Sequence, residues 1–162
     1  MSVLATIAAH QLAIQPQEQR WMIDQLWSQQ AVGIVGGEPK CCKSFLGLEM
    51  AVAVASGGLC LGRFAALQTG PVLLHAAEDA QHVVRERLDG IARTRGAELS
   101  ALDIRVVTAP SVRLDLEQDR EALAETVAAL RPVLLILDPF VRMHRCDENQ
   151  SAEVAPLLAF LR

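Results

Sequence analysis

A short glycine-rich stretch followed by lysine and serine is the strongest chemical signal in the sequence. Residues 36–44 read GGEPKCCKS, directly after one apolar run and directly before another. In a strand–turn–helix arrangement, backbone N–H groups of the turn and of the first helical turn point at phosphate oxygens, and the helix dipole favours an anion. Lys43 would reach the β- and γ-phosphates, and the Ser44 hydroxyl would be a ligand of Mg²⁺. The stretch therefore predicts a phosphate-binding loop.

The loop departs from the standard phosphate-loop pattern at one position. The pattern GxxxxGK[ST] places glycines at positions 37 and 42, whereas the chain has Gly37 and Cys42. Glycine there permits a backbone conformation and a close phosphate approach that a side chain obstructs. Because cysteine is small, the sequence favours a loop that still binds, with an ordinary strand-to-helix turn as the alternative. The residues predicted to bind ATP are Gly37, Glu38, Pro39, Lys40, Cys41, Cys42, Lys43, Ser44 and Phe45.

Two carboxylates stand at the ends of later apolar runs. Asp138 ends the most apolar run, where a P-loop enzyme carries the acid that holds the water shell of Mg²⁺; its plain structural interpretation is a turn residue before Pro139. Glu78 ends another run and can orient the water that attacks a γ-phosphate, or it merely begins the next helix. We expect Glu78 to be catalytic, and Ser44 and Asp138 to hold Mg²⁺, Asp138 through water.

The elements that must hold these residues alternate between strands and helices. Continuous apolar strands are buried on both faces, which predicts an α/β fold with a mainly parallel sheet and helices on both faces. Gly57 is predicted to end the first helix, and Asp79 to cap the second. The predicted strands cover 31–37, 71–79, 103–110 and 132–140, and the predicted helices cover 44–58, 79–96, 116–130 and 151–162.

Composition and charge limit the class of protein. The net charge of −4 gives no general attraction to nucleic acid or to an anionic membrane, and no apolar run approaches the ~20 residues of a membrane span. The four cysteines lack zinc-site spacing, which favours free thiols and a cytoplasmic protein. Residues 1–30 form a Gln-rich segment, whose amphipathic piece from Trp21 to Trp27 can pack on a neighbouring domain or subunit. Residues 31–162 form one domain.

Three motifs occur in an order that resembles a known family. GGEPKCCKSFL, LLHAAED and LLILDPFVRMHRCDENQS resemble the motifs of RecA-like P-loop ATPases, in particular the AAA-type domain of plasmid RepA-type hexameric replicative helicases. The resemblance covers roughly residues 20–162. It implies ATP hydrolysis at the subunit interfaces of a homo-oligomeric ring, coupled to movement on single-stranded DNA, with no role for a membrane. It also implies that Lys43 binds phosphate and that Glu78 is the catalytic base.

The resemblance also has implications for completeness. Family members continue with further strands after the one that matches residues 132–140, and these carry sensor residues and an arginine that reaches the neighbouring site. We therefore expect a RecA-like core that is incomplete at its C-terminus. The alternative function is a non-hydrolysing nucleotide-binding module that controls assembly, which Cys42 and the missing strands favour. His144 lies where family members have a histidine; its plain interpretation is a solvated loop residue.

Overall fold

The centre of the fold is a parallel sheet with helices on both sides. The computed structural model describes residues 4–14, 21–147 and 150–162. The elements are β1 (Trp21–Ile23), β2 (Trp27–Ser28), α1 (Lys43–Ser56), β3 (Leu59–Cys60), β4 (Phe64–Ala65), β5 (Val72–Ala76), α2 (Gln81–Thr94), β6 (Ile104–Val106), α3 (Glu117–Leu130), β7 (Leu134–Asp138) and α4 (Ser151–Phe160). Short 3₁₀ helices lie at Ala9–Gln11, Leu99–Ala101 and Phe140–Met143.

The sheet has three parallel strands in the order β6–β5–β7. Val72 at the start of β5 pairs with Ile104 on one side and with Leu134 on the other. The ladder between β5 and β7 extends to the pair Ala76–Asp138. The carboxyl ends of these two strands therefore lie side by side at one edge of the sheet.

Alternation of side chains along the strands separates the two layers of helices. Leu74 of β5 packs with Leu48 of α1 and Leu88 of α2, whereas the preceding residue Leu73 packs with Leu123 of α3 and Leu157 of α4. Successive residues of a strand point to opposite faces, so each face of the sheet has its own apolar layer. The predicted α/β class with helices on both faces is confirmed.

Helix α1 runs antiparallel to the strands. Near its C-terminus, the Val54 carbonyl accepts a hydrogen bond of 3.4 Å from the N–H of Gly70, which precedes β5. One turn from its N-terminus, Gly47 packs so closely on β7 that an added Cβ would stand 3.4 Å from Ile136 Cγ2. The helix begins at the carboxyl edge of the sheet and ends as predicted, with Gly57 in the left-handed region (φ 73°).

The predicted strand at 31–37 is wrong. These residues form no ladder, and Ile34 and Val35 are exposed. Side-chain packing fixes the segment instead, because Gly33 lies against the indole ring of Trp27, where an added Cβ would stand 2.7 Å from the ring. Glycine is unfavourable in strands, and this segment contains three, at positions 33, 36 and 37.

The predicted cap of α2 is also wrong. Ala80 is the N-cap residue and makes no side-chain cap hydrogen bond. Asp79 instead forms an ion pair with Arg87, two turns into the helix. The long Arg87 side chain extends back to the Asp79 carboxylate, which therefore binds a side chain and not the N–H groups at the start of the helix.

The amphipathic piece before the loop packs on its own chain. Strands β1 and β2 form an antiparallel pair, and Met22 and Ile23 are buried against Met50 and Val54 of α1. The proposed boundary at residue 30 stays a prediction. Within the part of the chain that the structure describes, no helix combines the length and the apolar character needed to cross a membrane.

Truncation of a sheet residue tests the layered core. Leu74 is 1% exposed between β5, α1 and α2, so Leu74→Ala removes apolar contacts and leaves a cavity. We expect the free energy of unfolding to fall by about 2–5 kcal/mol. Leu67 is 47% exposed, and Leu67→Ala should change the free energy of unfolding by less than about 0.5 kcal/mol. Urea unfolding followed by circular dichroism measures both, and equal losses would contradict the assigned layers.

Candidate functional site

The ammonium group of Lys43 lies inside the glycine-rich loop. Its Nζ donates hydrogen bonds to the carbonyl oxygens of Gly37 (2.9 Å) and Glu38 (2.8 Å). A third, longer contact of 3.7 Å joins Nζ to Cys41 Sγ. Residues 37–43 therefore surround one positive charge, which donates hydrogen bonds to two backbone carbonyls of the loop itself.

Cys42 adopts the backbone conformation that the phosphate-loop pattern reserves for glycine. Its φ of 64° and ψ of 23° place it in the left-handed region, and it is the N-cap residue of α1. A residue with a Cβ is strained there by about 1–2 kcal/mol, which explains why the pattern has glycine at this position. The loop thus keeps a glycine-like path through Cys42, at an energetic cost.

The N-terminus of α1 faces the same loop. The Leu46 N–H donates to the Cys42 carbonyl at 3.0 Å, which leaves the N–H groups of Lys43, Ser44 and Phe45 without acceptors in the helix. The first turn of this 14-residue helix has no acidic residue that would neutralise the positive end of its dipole. Unused donors, a helix dipole and an ammonium group together favour an anion.

Asp138 and Glu78 lie at the same edge of the sheet as this helix N-terminus. The Asp138 carbonyl accepts a hydrogen bond of 2.8 Å from Ala77 N–H, which keeps the ends of β5 and β7 together. By strand alternation, Asp138 shares its face with Ile136, the residue on which α1 packs. The structure therefore brings the loop, Asp138 and the end of β5 to one edge and one face.

Glu78 has a partner that the sequence did not predict. Arg142 Nε lies 3.4 Å from Glu78 Oε1, and both side chains are more than half exposed. Such a pair contributes little stability, but it shows that an arginine lies beside the predicted catalytic carboxylate. Arg142 belongs to the 3₁₀ helix Phe140–Met143, whose position after β7 follows from the pairing of β5 with β7. Arg142 and Glu78 are 64 residues apart, so nothing in the sequence indicated that they are neighbours.

Arg87 was missed for the same reason. Besides its ion pair with Asp79, its guanidinium carbon lies 5.0 Å from the centroid of the Phe45 ring. This contact is a cation–π interaction. It joins the predicted ATP-binding residue Phe45, in the first turn of α1, to the start of α2.

The two histidines near the motifs are buried. His144 is 5% exposed and its ring centroid lies 4.6 Å from that of Phe140, so the interpretation as a solvated loop residue is wrong. His75 is 2% exposed in β5 and, by alternation, shares the sheet face of Leu73, opposite the loop. Burial lowers the pKa of His75. His75 lies outside the candidate site.

The donor set fits Mg²⁺ together with phosphate. Among the described residues, no group of three or more His, Cys, Asp or Glu side chains could hold a metal ion by itself. Magnesium in phosphate-binding sites uses few protein oxygens and completes its shell with water and phosphate. The Ser44 hydroxyl and the Asp138 carboxylate supply oxygens of that kind, so the residues fit the ion.

Comparison with known protein families identifies the class of domain. A family model described as an AAA domain matches residues 2–162, which include the loop and the ends of β5 and β7. No curated protein matches the chain at a significant level. Since the family match spans almost the whole sequence, the chain belongs to the AAA domain family and is an ATPase-type, nucleotide-binding P-loop domain.

Proposed function

We propose that the protein binds ATP with Mg²⁺ on residues 37–45 and hydrolyses it. The observation that carries the proposal is the Lys43 ammonium, held inside the loop at the N-terminus of α1. Asp138 ends β7, and Glu78 lies two residues after the end of the neighbouring strand β5, at the same edge of the sheet. Phosphoryl transfer needs a positive charge that binds the phosphates and carboxylates that orient the attacking water and hold the metal ion.

Phosphate binding would proceed by exchange of hydrogen bonds at Lys43. Its ammonium now donates to two neutral carbonyls, and phosphate oxygens are stronger acceptors because they are charged. The free N–H groups at the start of α1 would bind the same phosphates. The side chains of residues 38–42 need not contact the ligand, because backbone N–H groups would bind the phosphates.

Mg²⁺ would lie between Ser44 and Asp138. The Ser44 hydroxyl would bind the ion directly, and the Asp138 carboxylate would hold one of its water molecules. When bound, the ion neutralises negative charge on the phosphates. Asp138 is half-buried at the end of β7, and burial strengthens its hydrogen bond to such a water.

Glu78 would orient the attacking water and accept its proton. Its carboxylate is exposed, and its contact with Arg142 is a surface ion pair. A pair of that kind is weak and can open at little cost when a nucleotide arrives. Arg142 would then be free to approach the negative charge of the phosphates.

The proposal extends to a RepA-like DNA helicase. The order of the three motifs supports this assignment, and the family match supports only the AAA-type ATPase domain. In it, copies of the domain form a homo-oligomeric ring in the cytoplasm, and ATP hydrolysis drives movement along single-stranded DNA. These partners and this compartment are proposals that rest on the resemblance.

Removal of the loop lysine tests nucleotide binding. Lys43→Ala deletes the ammonium that donates to the Gly37 and Glu38 carbonyls, so the affinity for Mg-ATP should fall at least about 100-fold, which corresponds to about 2.7 kcal/mol. Arg93→Ala removes an exposed charge from α2 and should leave the affinity unchanged. Titration calorimetry measures both variants. Equal affinities for Lys43→Ala and the unmodified chain would refute the proposed site.

Neutralisation of Glu78 tests hydrolysis separately from binding. Glu78→Gln keeps the shape of the side chain but cannot accept a proton, so turnover should fall about 10²–10⁴-fold while ATP still binds. Glu86→Gln makes the same change on the exposed face of α2 and should retain full turnover. Phosphate release and calorimetry give the two readouts. If Glu78→Gln hydrolyses ATP at the rate of the unmodified chain, Glu78 is not the catalytic base.

Substitution of Cys42 tests the strained loop. Because Cys42 is left-handed, Cys42→Gly should raise the free energy of unfolding by up to about 1 kcal/mol and tighten ATP binding. Cys41 is not among the residues with positive φ, so Cys41→Gly should lower stability by a similar amount. Urea unfolding of the two variants decides the matter. A loss of stability in both would contradict the backbone conformation assigned to Cys42.

A further inference from the structure

Thiols and amines are concentrated in a single turn of the phosphate loop. The only two lysines of the chain are Lys40 and Lys43, and they flank the adjacent cysteines Cys41 and Cys42. Both thiols are exposed. Four consecutive residues thus combine two nucleophilic sulfur atoms with two positive charges, a combination that nucleotide binding by itself does not require.

Cys41 is the thiol that lies within the site. Its Sγ packs so tightly on the backbone of Gly37 that a Cβ added there would stand 2.7 Å from the sulfur. On its other side, the sulfur is 3.7 Å from Lys43 Nζ. A group attached to this sulfur would therefore lie beside Gly37 and Lys43, the residues proposed to surround the phosphates.

The remaining cysteines differ from this pair. Cys60 is fully buried, and burial, together with the negative charge of Glu49, raises the pKa of its thiol to about 11. Thiolate is the reactive form, so Cys60 is inert at neutral pH. Cys146 is half-buried in the layer of α3 and α4, and neither lysine is close to it in sequence. All four cysteines lie within the described part of the chain and are free of disulfide bonds.

We propose that Cys41 is a site of reversible modification by small anionic disulfides, of which oxidised glutathione is the test case, and that the adduct excludes nucleotide from the loop. The exclusion of nucleotide rests on the proposed function, whereas the modification of Cys41 does not depend on it. Recognition would come from charge, because Lys40 and Lys43 attract the carboxylates of such a disulfide. The same lysines attract phosphate, so the two ligands compete for one patch of positive charge.

The chemistry is a thiol–disulfide exchange. The sulfur of Cys41 attacks one sulfur of the disulfide, so a bond forms between Cys41 Sγ and that sulfur while the original S–S bond breaks. The leaving sulfur takes up the proton that Cys41 has lost and departs as a free thiol. No further oxidant is needed, and an excess of free thiol reverses the reaction.

The first experiment locates the adduct. The full chain is incubated with oxidised glutathione, and the modified residue is mapped by fragmentation mass spectrometry. The adduct should form on Cys41 at least about 10-fold faster than on Cys146, since exposure and nearby positive charge favour the reaction. Cys41→Ser should remove the fast-forming adduct and leave only slow modification of other cysteines, whereas Cys42→Ser and Cys146→Ser should retain the fast-forming adduct. Retention in Cys41→Ser with loss in Cys42→Ser would overturn the assignment.

The second experiment tests recognition of charge. A neutral disulfide, bis(2-hydroxyethyl) disulfide, should modify Cys41 about 10-fold more slowly than oxidised glutathione, relative to their rates with a free cysteine peptide. Lys43→Ala should reduce that preference, whereas Arg93→Ala, far along α2, should not. Equal relative rates for the two disulfides would overturn the role of the lysines.

The third experiment joins modification to nucleotide binding. Calorimetry with Mg-ATP is repeated on the mixed disulfide and again after reduction with excess thiol. The adduct should weaken binding at least about 10-fold, and reduction should restore it. Unchanged affinity of the modified chain would overturn exclusion. If the unmodified chain binds no ATP, the proposed function and the exclusion fail together, while the mapped adduct still decides whether Cys41 is a modification site.

Discussion

The packing of α1 against the parallel sheet is the constraint on which the rest of the structure depends. Ala51, Val52 and Val54 are completely buried, so this helix cannot shift along the sheet without exposing apolar surface. Its antiparallel direction relative to β5 and β7 fixes the edge at which it begins. An apolar layer that contains none of the candidate site residues holds α1 in one register. The loop and the N-terminus of α1 therefore lie at the same edge of the sheet as the carboxylates.

Residues whose neighbours in sequence determine their environment were predicted well. The apolar runs at 71–79 and 132–140 contain β5 and β7, and Gly57 ends α1 through its own backbone freedom. The arrangement of Lys43 and Ser44 at a helix N-terminus also follows from the local pattern, since a glycine turn before a helix leaves donors unused. In these cases, local physics and the tertiary structure agree.

The failures share a physical cause, which is competition from side-chain contacts that the patterns for strands, caps and loops do not include. Residues 31–37 look like a strand, but a strand needs a ladder, and the indole of Trp27 offers Gly33 a packing surface instead. Asp79 suits a helix cap, yet Arg87 reaches it. His144 is polar and close to charged residues in sequence, and only the fold shows that Phe140 covers it. These partners lie only four to eight residues away, but which side chains meet at such separations depends on how the backbone folds between them.

The stacking of Arg87 on Phe45 links the two halves of the site mechanically. Phe45 follows the residues predicted to bind phosphate and metal, while Asp79, the other partner of Arg87, follows the predicted catalytic residue Glu78. One guanidinium thus spans from the first turn of α1 to the end of β5. The start of α1 and the segment that carries Glu78 therefore share one side-chain partner, so the conformation of Arg87 affects both the loop and the position of this carboxylate.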